Sequence, residues 1–537
     1  FFFSIQNNLN NKDILMNFSI ISEKEKENYF KTIQEDYWRF NSFALSYKNT
    51  DPAVVETVFD NTIKNKGLLL KSSTAMRNAV YSSNDSLLIS NYNKWILLKK
   101  QIAKKYSKGE DTKELENQAN ELEALLVKNS NEFSDFNKVQ DINWKQVQKR
   151  LKDGEAALEF VNFKLYSPDS SLSEFTDNMM YAALLLKKDS KQPEMIPLFE
   201  EKQLQKITGT FGGNNLSYIN GIYGTNNETK TALYDLIWKP MENQLKGIKK
   251  VYLSPSGLLH KISFAAIAKD KNVFLCNRYN INIQPSTANI VLNKNKTLDF
   301  NNVNVGLFGG VNYNSDNTQT EIWTYLEGTK SEAEKIRKLL KKKKVKTNYF
   351  SSSNATEEEF KLIASNSNIL HIATHGFFYP DPNEKTKEQE ENNKETGNIV
   401  FRGGSRGFGV KSFVENKNPL MRSGLVLAGA NDVWNKASAD TTEDGVLTAQ
   451  EIAQIDMRKT NLVVMSACET GLGDIKGSEG VYGLQRSFKM AGVNYLIMSL
   501  WQVPDKETEE FMTTFYKKLV KDKDIRRAFN DTQKEMR

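Results

Sequence analysis

The stretch Asn461-Leu462-Val463-Val464-Met465-Ser466-Ala467-Cys468-Glu469-Thr470-Gly471-Leu472-Gly473 decides how the rest of the chain is read. An apolar run of strand length ends in a cysteine, and a Gly-bearing turn follows at once. Such a run places the Cys468 sulfur at the carboxyl edge of a sheet, where open α/β folds gather their reactive groups. About ninety residues earlier, Ile369-Leu370-His371-Ile372-Ala373-Thr374-His375-Gly376 has the same shape: an apolar strand, a polar residue, then a glycine. Together the two stretches point to a Cys/His dyad, with Cys468 as nucleophile and His375 as proton shuttle. A cysteine at a strand end is otherwise an ordinary small core residue. The glycines after Cys468, and the helix expected from Ser478 to Ala491, supply backbone N–H groups and a dipole that would lower a thiol pKa from its usual value of about 8.5. Gly376 leaves a backbone N–H close to where an oxyanion would form. His371, four residues upstream within its strand, reads as a hydrogen-bonded core histidine.

Around these two stretches, strands and helices alternate from Val303 onward. Strands are expected at 303–310, 347–350, 369–375, 461–468 and 495–500, with helices from Ser331, from Thr356, near Thr448 and from Ser478. Alternation of this kind implies right-handed crossovers and a parallel sheet, which brings His375 and Cys468 to one edge. Between them, Asp381 to Asn418 is too polar and too long for a core connection and reads as an exposed, mobile loop beside the site. An earlier α/β lobe begins near Gly154, with strands at 179–187 and 250–254 and a helix near 231–244. Residues 1–147 read as helices. Tyr92 to Ser107 and Thr112 to Lys128 form a helical hairpin, with Gly109 as a left-handed cap and Asp111 with Glu114 as a capping-box-like start. Lys99, Lys100, Lys104 and Lys105 are expected to face Glu114, Glu116, Glu121 and Glu123 as a solvated flank. Three regions follow: 1–147 helical, 148–300 a first α/β lobe, and 301–537 a second.

The 537 residues exceed what one core usually serves, and 39% hydrophobic with 26% charged residues describes an ordinary globular protein. The mean hydropathy of −0.56 agrees. A net charge of +7 spread over 73 basic and 66 acidic residues is a small imbalance, and the run Lys341 to Lys344 suits a helix C-terminus, so no directly bound nucleic acid is expected. Cys276 and Cys468 are far apart in sequence, which argues against a disulfide framework and for a reducing, cytoplasmic setting. Three histidines and two cysteines make no zinc cluster, so neither metal nor cofactor is expected. No apolar run is long enough to span a membrane. The first residue is Phe1 and not Met, so the sequence reads as a fragment or processed form. Two formal matches fail on context: Gly403-Gly404-Ser405-Arg406-Gly407 fits G-x-S-x-G inside the polar insertion, and Gly471-Leu472-Gly473 lacks the third glycine of a dinucleotide fingerprint.

His375-Gly376, Ser466 to Gly471, Gly480-Val481-Tyr482-Gly483-Leu484 and Ser499-Leu500-Trp501-Gln502-Val503-Pro504-Asp505 together resemble the CHAT domain, a caspase- and separase-like clan CD cysteine peptidase often preceded by tetratricopeptide repeats. Leu253 to Ile267, Leu326 to Glu334, Asn418 to Ala430 and Asp444 to Ala449 match in the same order, so the resemblance covers roughly residues 150 to 537. It implies a caspase-like parallel-sheet sandwich in two lobes, inactive then active, behind a TPR-like helical-hairpin region. It implies a cysteine endopeptidase in which His375 is the general base and acid, Cys468 the nucleophile, and the N–H groups of Gly376 and Cys468 the oxyanion donors. Asp505 matches the acidic residue with which relatives that cut after basic residues read their substrate; it also suits the N-cap of a helix from Lys506 to Val520. Protein substrates, a protein activator docked on the helical region, and a setting in bacterial defence or programmed death belong to the same expectation. The competing reading is a catalytically silent CHAT/TPR interaction scaffold.

Overall fold

Strand assignment follows burial. The computed structural model describes residues 9–14, 17–18, 21–107, 110–129, 136, 139–166, 175–209, 215–224, 230–292, 298–315, 321–381, 411–435, 444–467 and 470–537. Cys468, Gly109, the Gly403–Gly407 match and residues 382–410 of the polar insertion lie outside the described residues. The chain divides into two units: residues 1–95, 120–295 and 475–480 form one, and residues 96–119, 296–474 and 481–537 the other.

In the first unit, helices α1 (Glu23–Tyr47), α2 (Ala53–Asn65) and α3 (Leu68–Ser82) precede α4 (Ser86–Ser107) and α5 (Lys113–Asn129), which straddle the division, and α6 (Trp144–Arg150). Strands β1 (Glu155–Tyr166), β2 (Phe175–Lys187), β3 (Glu194–Glu200), β4 (Lys250–Ser254) and β5 (Asn280–Ile283) then form a sheet in the order β3-β2-β1-β4-β5, with helices α7 (Glu201–Gly209) and α8 (Asn215–Tyr223) between β3 and β4 in the chain. β1, β4 and β5 run parallel, while β2 and β3 run antiparallel to their neighbours, so this sheet is mixed where a parallel one was expected. An eight-residue link between long strands suits a hairpin and is too short for a parallel crossover. Phe40 and Ala44 of α1 and Val55, Val58 and Phe59 of α2 share one apolar cluster with Ala157, Val161 and Phe163 of β1 and Leu184 and Leu186 of β2. Buried Lys66, just past α2, reaches Glu159 of β1 at 2.8 Å and also donates to the Ser254 and Pro255 carbonyls at the end of β4.

Several local expectations give way. The helix near 231–244 is a π turn at Tyr234–Trp238 followed by a 3-10 turn at Lys239–Met241, because Pro240 lacks the N–H and the ring space a continuing helix needs. Helix α5 begins at Lys113, whose N–H donates to Asp111 Oδ1 at 3.0 Å, while Glu114 accepts from Gln118 rather than closing a box with Asp111 and the Thr112 hydroxyl donates to Glu116. Glu123 is buried and accepts the Glu23 N–H at 2.9 Å, so it does not belong to a solvated flank.

The second unit is built on an all-parallel sheet in the order β15-β12-β8-β6-β7, formed by β6 (Asn304–Val311), β7 (Lys346–Ser352), β8 (Ile369–Ala373), β12 (Leu462–Ser466) and β15 (Tyr495–Ile497). Every residue of β8 and β12 is buried, as expected for parallel strands covered on both faces. Alternate residues go to opposite layers. Leu370, Ile372, Val463 and Met465 face one cluster, whereas Ile369, Leu462 and Val464 face a second with Ile336 and Leu340 of α9 (Glu327–Lys342) and Phe515 and Leu519 of α13 (Asp505–Asp522). His371 points to this second layer, fully buried, with Nε2 2.9 Å from Glu332 of α9. α10 (Glu357–Ala364), α11 (Ala430–Asn435), α12 (Leu484–Ala491) and α14 (Ile525–Glu535) complete the helices used below. A small antiparallel sheet, β11-β10-β9, comprises β9 (Gly376–Phe378), β10 (Ser423–Val426) and β11 (Val446–Thr448). A hairpin of β13 (Asp474–Lys476) and β14 (Gly480–Tyr482) occupies the start of the helix expected from Ser478; α12 begins at Leu484. No helix among the described residues is long and apolar enough to cross a membrane.

Candidate active site

Strand β8 delivers His375. Its last register pair with β12 joins Ala373 to Ser466, and His375 follows two residues later, just as Cys468 follows Ser466 in the sequence. The peptide at Thr374–His375 is held tightly. Thr374 is buried, its hydroxyl bonds the Val426 carbonyl and lies 2.9 Å from the Tyr313 hydroxyl, and the His375 carbonyl accepts the Val426 N–H at 3.0 Å. The His375 ring is 1% exposed. Its centroid lies 5.0 Å from that of Tyr313 and 5.2 Å from that of Trp323. Nε2 sits 2.8 Å from the Thr324 carbonyl. A carbonyl only accepts, so Nε2 carries the proton, and Nδ1 is the basic nitrogen of the neutral ring.

Gly376 opens β9, whose register pairs Gly376 with Leu425 and Phe377 with Gly424. Because His375 and Val426 form a hydrogen-bonded pair, antiparallel alternation makes Gly376 and Leu425 a non-hydrogen-bonded one. The Gly376 N–H is therefore directed away from β10, along the open edge of the small sheet.

Residues on either side of Cys468 are pinned. The Ala467 carbonyl accepts the Ser499 hydroxyl at 2.5 Å and the Thr470 hydroxyl at 3.4 Å, and the Gly471 N–H donates to the Ser499 carbonyl at 2.7 Å. A Cβ at Gly471 would sit 2.9 Å from that carbonyl, so only glycine permits the approach. Farther along, the fully buried Arg422 donates to the Tyr379 carbonyl at 2.9 Å and grips the Asp474 carboxylate with both terminal nitrogens. Ala467 and Asp474 are thus each held by residues outside the stretch between them.

Asp505 packs on the segment that follows Thr324. It is the first residue of α13, with Pro504 at the cap position, and its Oδ2 accepts the Gly328 N–H at 2.6 Å. That N–H belongs to the first turn of α9, whose own cap residue Leu326 offers no side-chain acceptor. The carboxylate thereby satisfies a helix-start donor and complements the helix dipole. His260 lies in the first unit, where burial and the Lys66 charge push its pKa down to about 3, so the ring is neutral there. Cys276 is buried.

Thr324 and Arg422 went unread in the sequence for different reasons. A backbone acceptor leaves no side-chain signature, while Arg422 sits inside a matched stretch without a spacing that marks it.

The CHAT domain matches residues 227–537. The chain belongs to the CHAT domain family. Mouse tetratricopeptide repeat protein 28 is 23% identical over 305 residues, which cover 54% of this chain and 12% of that protein. Helices precede the matched CHAT region, as expected from the sequence. This CHAT protein is also similar to a chain in the crystal structure of the Saccharomyces cerevisiae separase–securin complex, with a TM-score of 0.40 and 11% identity, over 81% of this chain and 31% of that one. The fold of the CHAT protein is α/β, with helices ahead of two sheet-bearing parts, the second built on a parallel sheet.

Proposed function

We propose that this CHAT protein is a cysteine endopeptidase. The reading rests on one observation: His375, at the carboxyl end of a central parallel strand, has Nε2 held by a backbone carbonyl at 2.8 Å, which leaves Nδ1 as the base. Chain connectivity supports Cys468 as its partner, since two residues of extended chain reach no more than about 7 Å and both residues stand two positions past the Ala373–Ser466 pair. In this mechanism Nδ1 takes the thiol proton, the thiolate attacks the scissile carbonyl, and the N–H groups of Gly376 and Cys468 receive the oxyanion. The imidazolium then protonates the departing amine as the C–N bond breaks and a thioester remains. Water, deprotonated by the same nitrogen, hydrolyses the thioester and restores the thiol.

Finer parts of the proposal are a preference for a basic residue before the cut, read by Asp505, and a protein activator docked on the helices. A setting in bacterial defence or programmed death belongs with them. A thiol-reactive peptide probe, read by mass spectrometry beside cleavage of a peptide library, tests the core claim. Labelling at Cys468 and loss of cleavage in Cys468→Ala are expected. Cleavage that persists in the variant, or labelling of Cys276 in place of Cys468, overturns the assignment of the nucleophile, and absence of cleavage by the wild-type protein returns it to the silent-scaffold reading.

A further inference from the structure

The carbonyl that holds His375 belongs to a segment with little regular structure of its own, since residues 312–315 and 321–326 lie outside helix and strand. Something else must fix it. The fully buried Asn431, second residue of α11, does so with every hydrogen-bonding valence of its side chain. Oδ1 accepts from the N–H groups of Ile322 at 3.1 Å and Trp323 at 2.8 Å. Nδ2 donates to the Trp323 carbonyl at 3.0 Å and to Asn314 Oδ1 at 2.6 Å. The Asn431 backbone N–H adds a bond to the Tyr313 carbonyl at 3.0 Å. One amide therefore ties together the two pieces of chain that carry Tyr313 and Trp323, the rings beside His375, and it ends one residue short of the Thr324 carbonyl.

We propose that Asn431 is a positioning residue for His375, fixing the Trp323–Thr324 peptide so that its carbonyl selects the ring tautomer with a basic Nδ1. The proposal rests on the peptidase reading above. The chemistry demands an amide. Two donors and a twice-accepting oxygen are needed at once, and a carboxylate in the same shape would set oxygen against the Trp323 carbonyl and the Asn314 oxygen. A slack Thr324 carbonyl would let the ring rotate or exchange tautomers, and positioned proton transfer is typically worth 10²–10⁴-fold.

The test compares wild type, Asn431→Asp and His375→Ala by the pH dependence of iodoacetamide alkylation at Cys468, with Cys276 as internal reference. Nitrogen-15 spectra of the ring give a second readout, which three histidines keep assignable. Expected are Cys468 alkylation well below the usual thiol range in wild type, its loss in His375→Ala, and a slowing on the order of ten-fold at pH 7 in Asn431→Asp. In that variant the Nε2–H tautomer should also give way to a mixture. Should Asn431→Asp not fold, Asn431→Ser serves, because it keeps a small polar group in the cavity. Wild-type profiles and tautomer in a folded Asn431 variant would overturn the positioning role while leaving the peptidase reading intact. An ordinary thiol profile near 8.5 in wild type, unmoved by His375→Ala, would remove both.

Discussion

Two roles for the Asp505 carboxylate are separable by a change of one atom. Its bond to the Gly328 N–H caps α9, and an asparagine oxygen can accept that bond equally well. Asp505→Asn should therefore melt within a few degrees of wild type, losing only a charge–dipole contribution of roughly 0.3–1 kcal/mol. Asp505→Ala also loses the bond and should cost about 1 kcal/mol more. If Asp505 reads a basic residue, Asp505→Asn abolishes the preference for Arg or Lys in kcat/KM even though the fold holds. Unchanged discrimination in that folded variant would confine Asp505 to capping. At this scale the sequence was legible in placement: His375 stands just past the end of β8, and His371 is fully buried beside Glu332, although among the described residues neither of its ring nitrogens makes the hydrogen bond expected of it. It was not legible where a backbone atom does the work, as with Thr324, or where an amide acts through the segment it ties, as with Asn431.

Elements were legible in proportion to how much of their pattern is burial. The runs that became β4, β8 and β12 are apolar and nearly continuous, and their limits fall within a residue or two of expectation. The helix expected from Ser478 starts six residues late because the signal was borrowed. Glu479 accepts the N–H groups of Leu69 at 2.9 Å and Leu70 at 3.4 Å, so its carboxylate serves the first turn of α3 rather than a helix of its own. A similar bond joins α2 to α6, where Asp60 accepts the Trp144 N–H at 2.7 Å. Burial pushes the Asp60 pKa up to about 6, against the lowering effect of that bond. A carboxyl whose folded pKa is raised holds its proton more tightly in the native state. Its contribution is full below the unfolded value near 4 and is lost as pH rises through 6. Asp60→Asn, which keeps the acceptor and has no charge to bury, should match wild type near pH 4 and exceed it by roughly 1–3 kcal/mol at pH 7. Urea midpoints at the two pH values decide it, and a variant-minus-wild-type difference that is flat with pH would refute the argument.

For the whole molecule, the telling feature is that the helices and the first sheet share a core while six residues, 475–480, are built into that unit from the far end of the sequence. Their anchors are the Glu479 bonds, a bond from the Gly67 N–H to the Ser478 carbonyl at 2.9 Å, and an ion pair of Lys476 with Glu27 at 3.4 Å. Removing the Glu479 carboxylate leaves two helix-start N–H groups without it, a loss of about 1 kcal/mol. Amide exchange in Glu479→Ala should accordingly quicken on the order of five- to ten-fold at 475–480, while β8 and β12 keep their protection. Equal acceleration in all three places would show that the anchor is not local.

The excursion at 475–480 also limits how such a chain can be recombined. Cysteine turn and helical layer are hundreds of residues apart in the sequence, yet the peptide that leaves the turn at Asp474 and returns at Val481 is fitted to Gly67, Leu69, Leu70 and Glu27. A chimera that takes its helices from one relative and its second sheet from another inherits a hexapeptide matched to the wrong helix start. Exchange that leaves the protein intact must carry the two distant segments together, which makes the helical layer and the hexapeptide a single unit of inheritance.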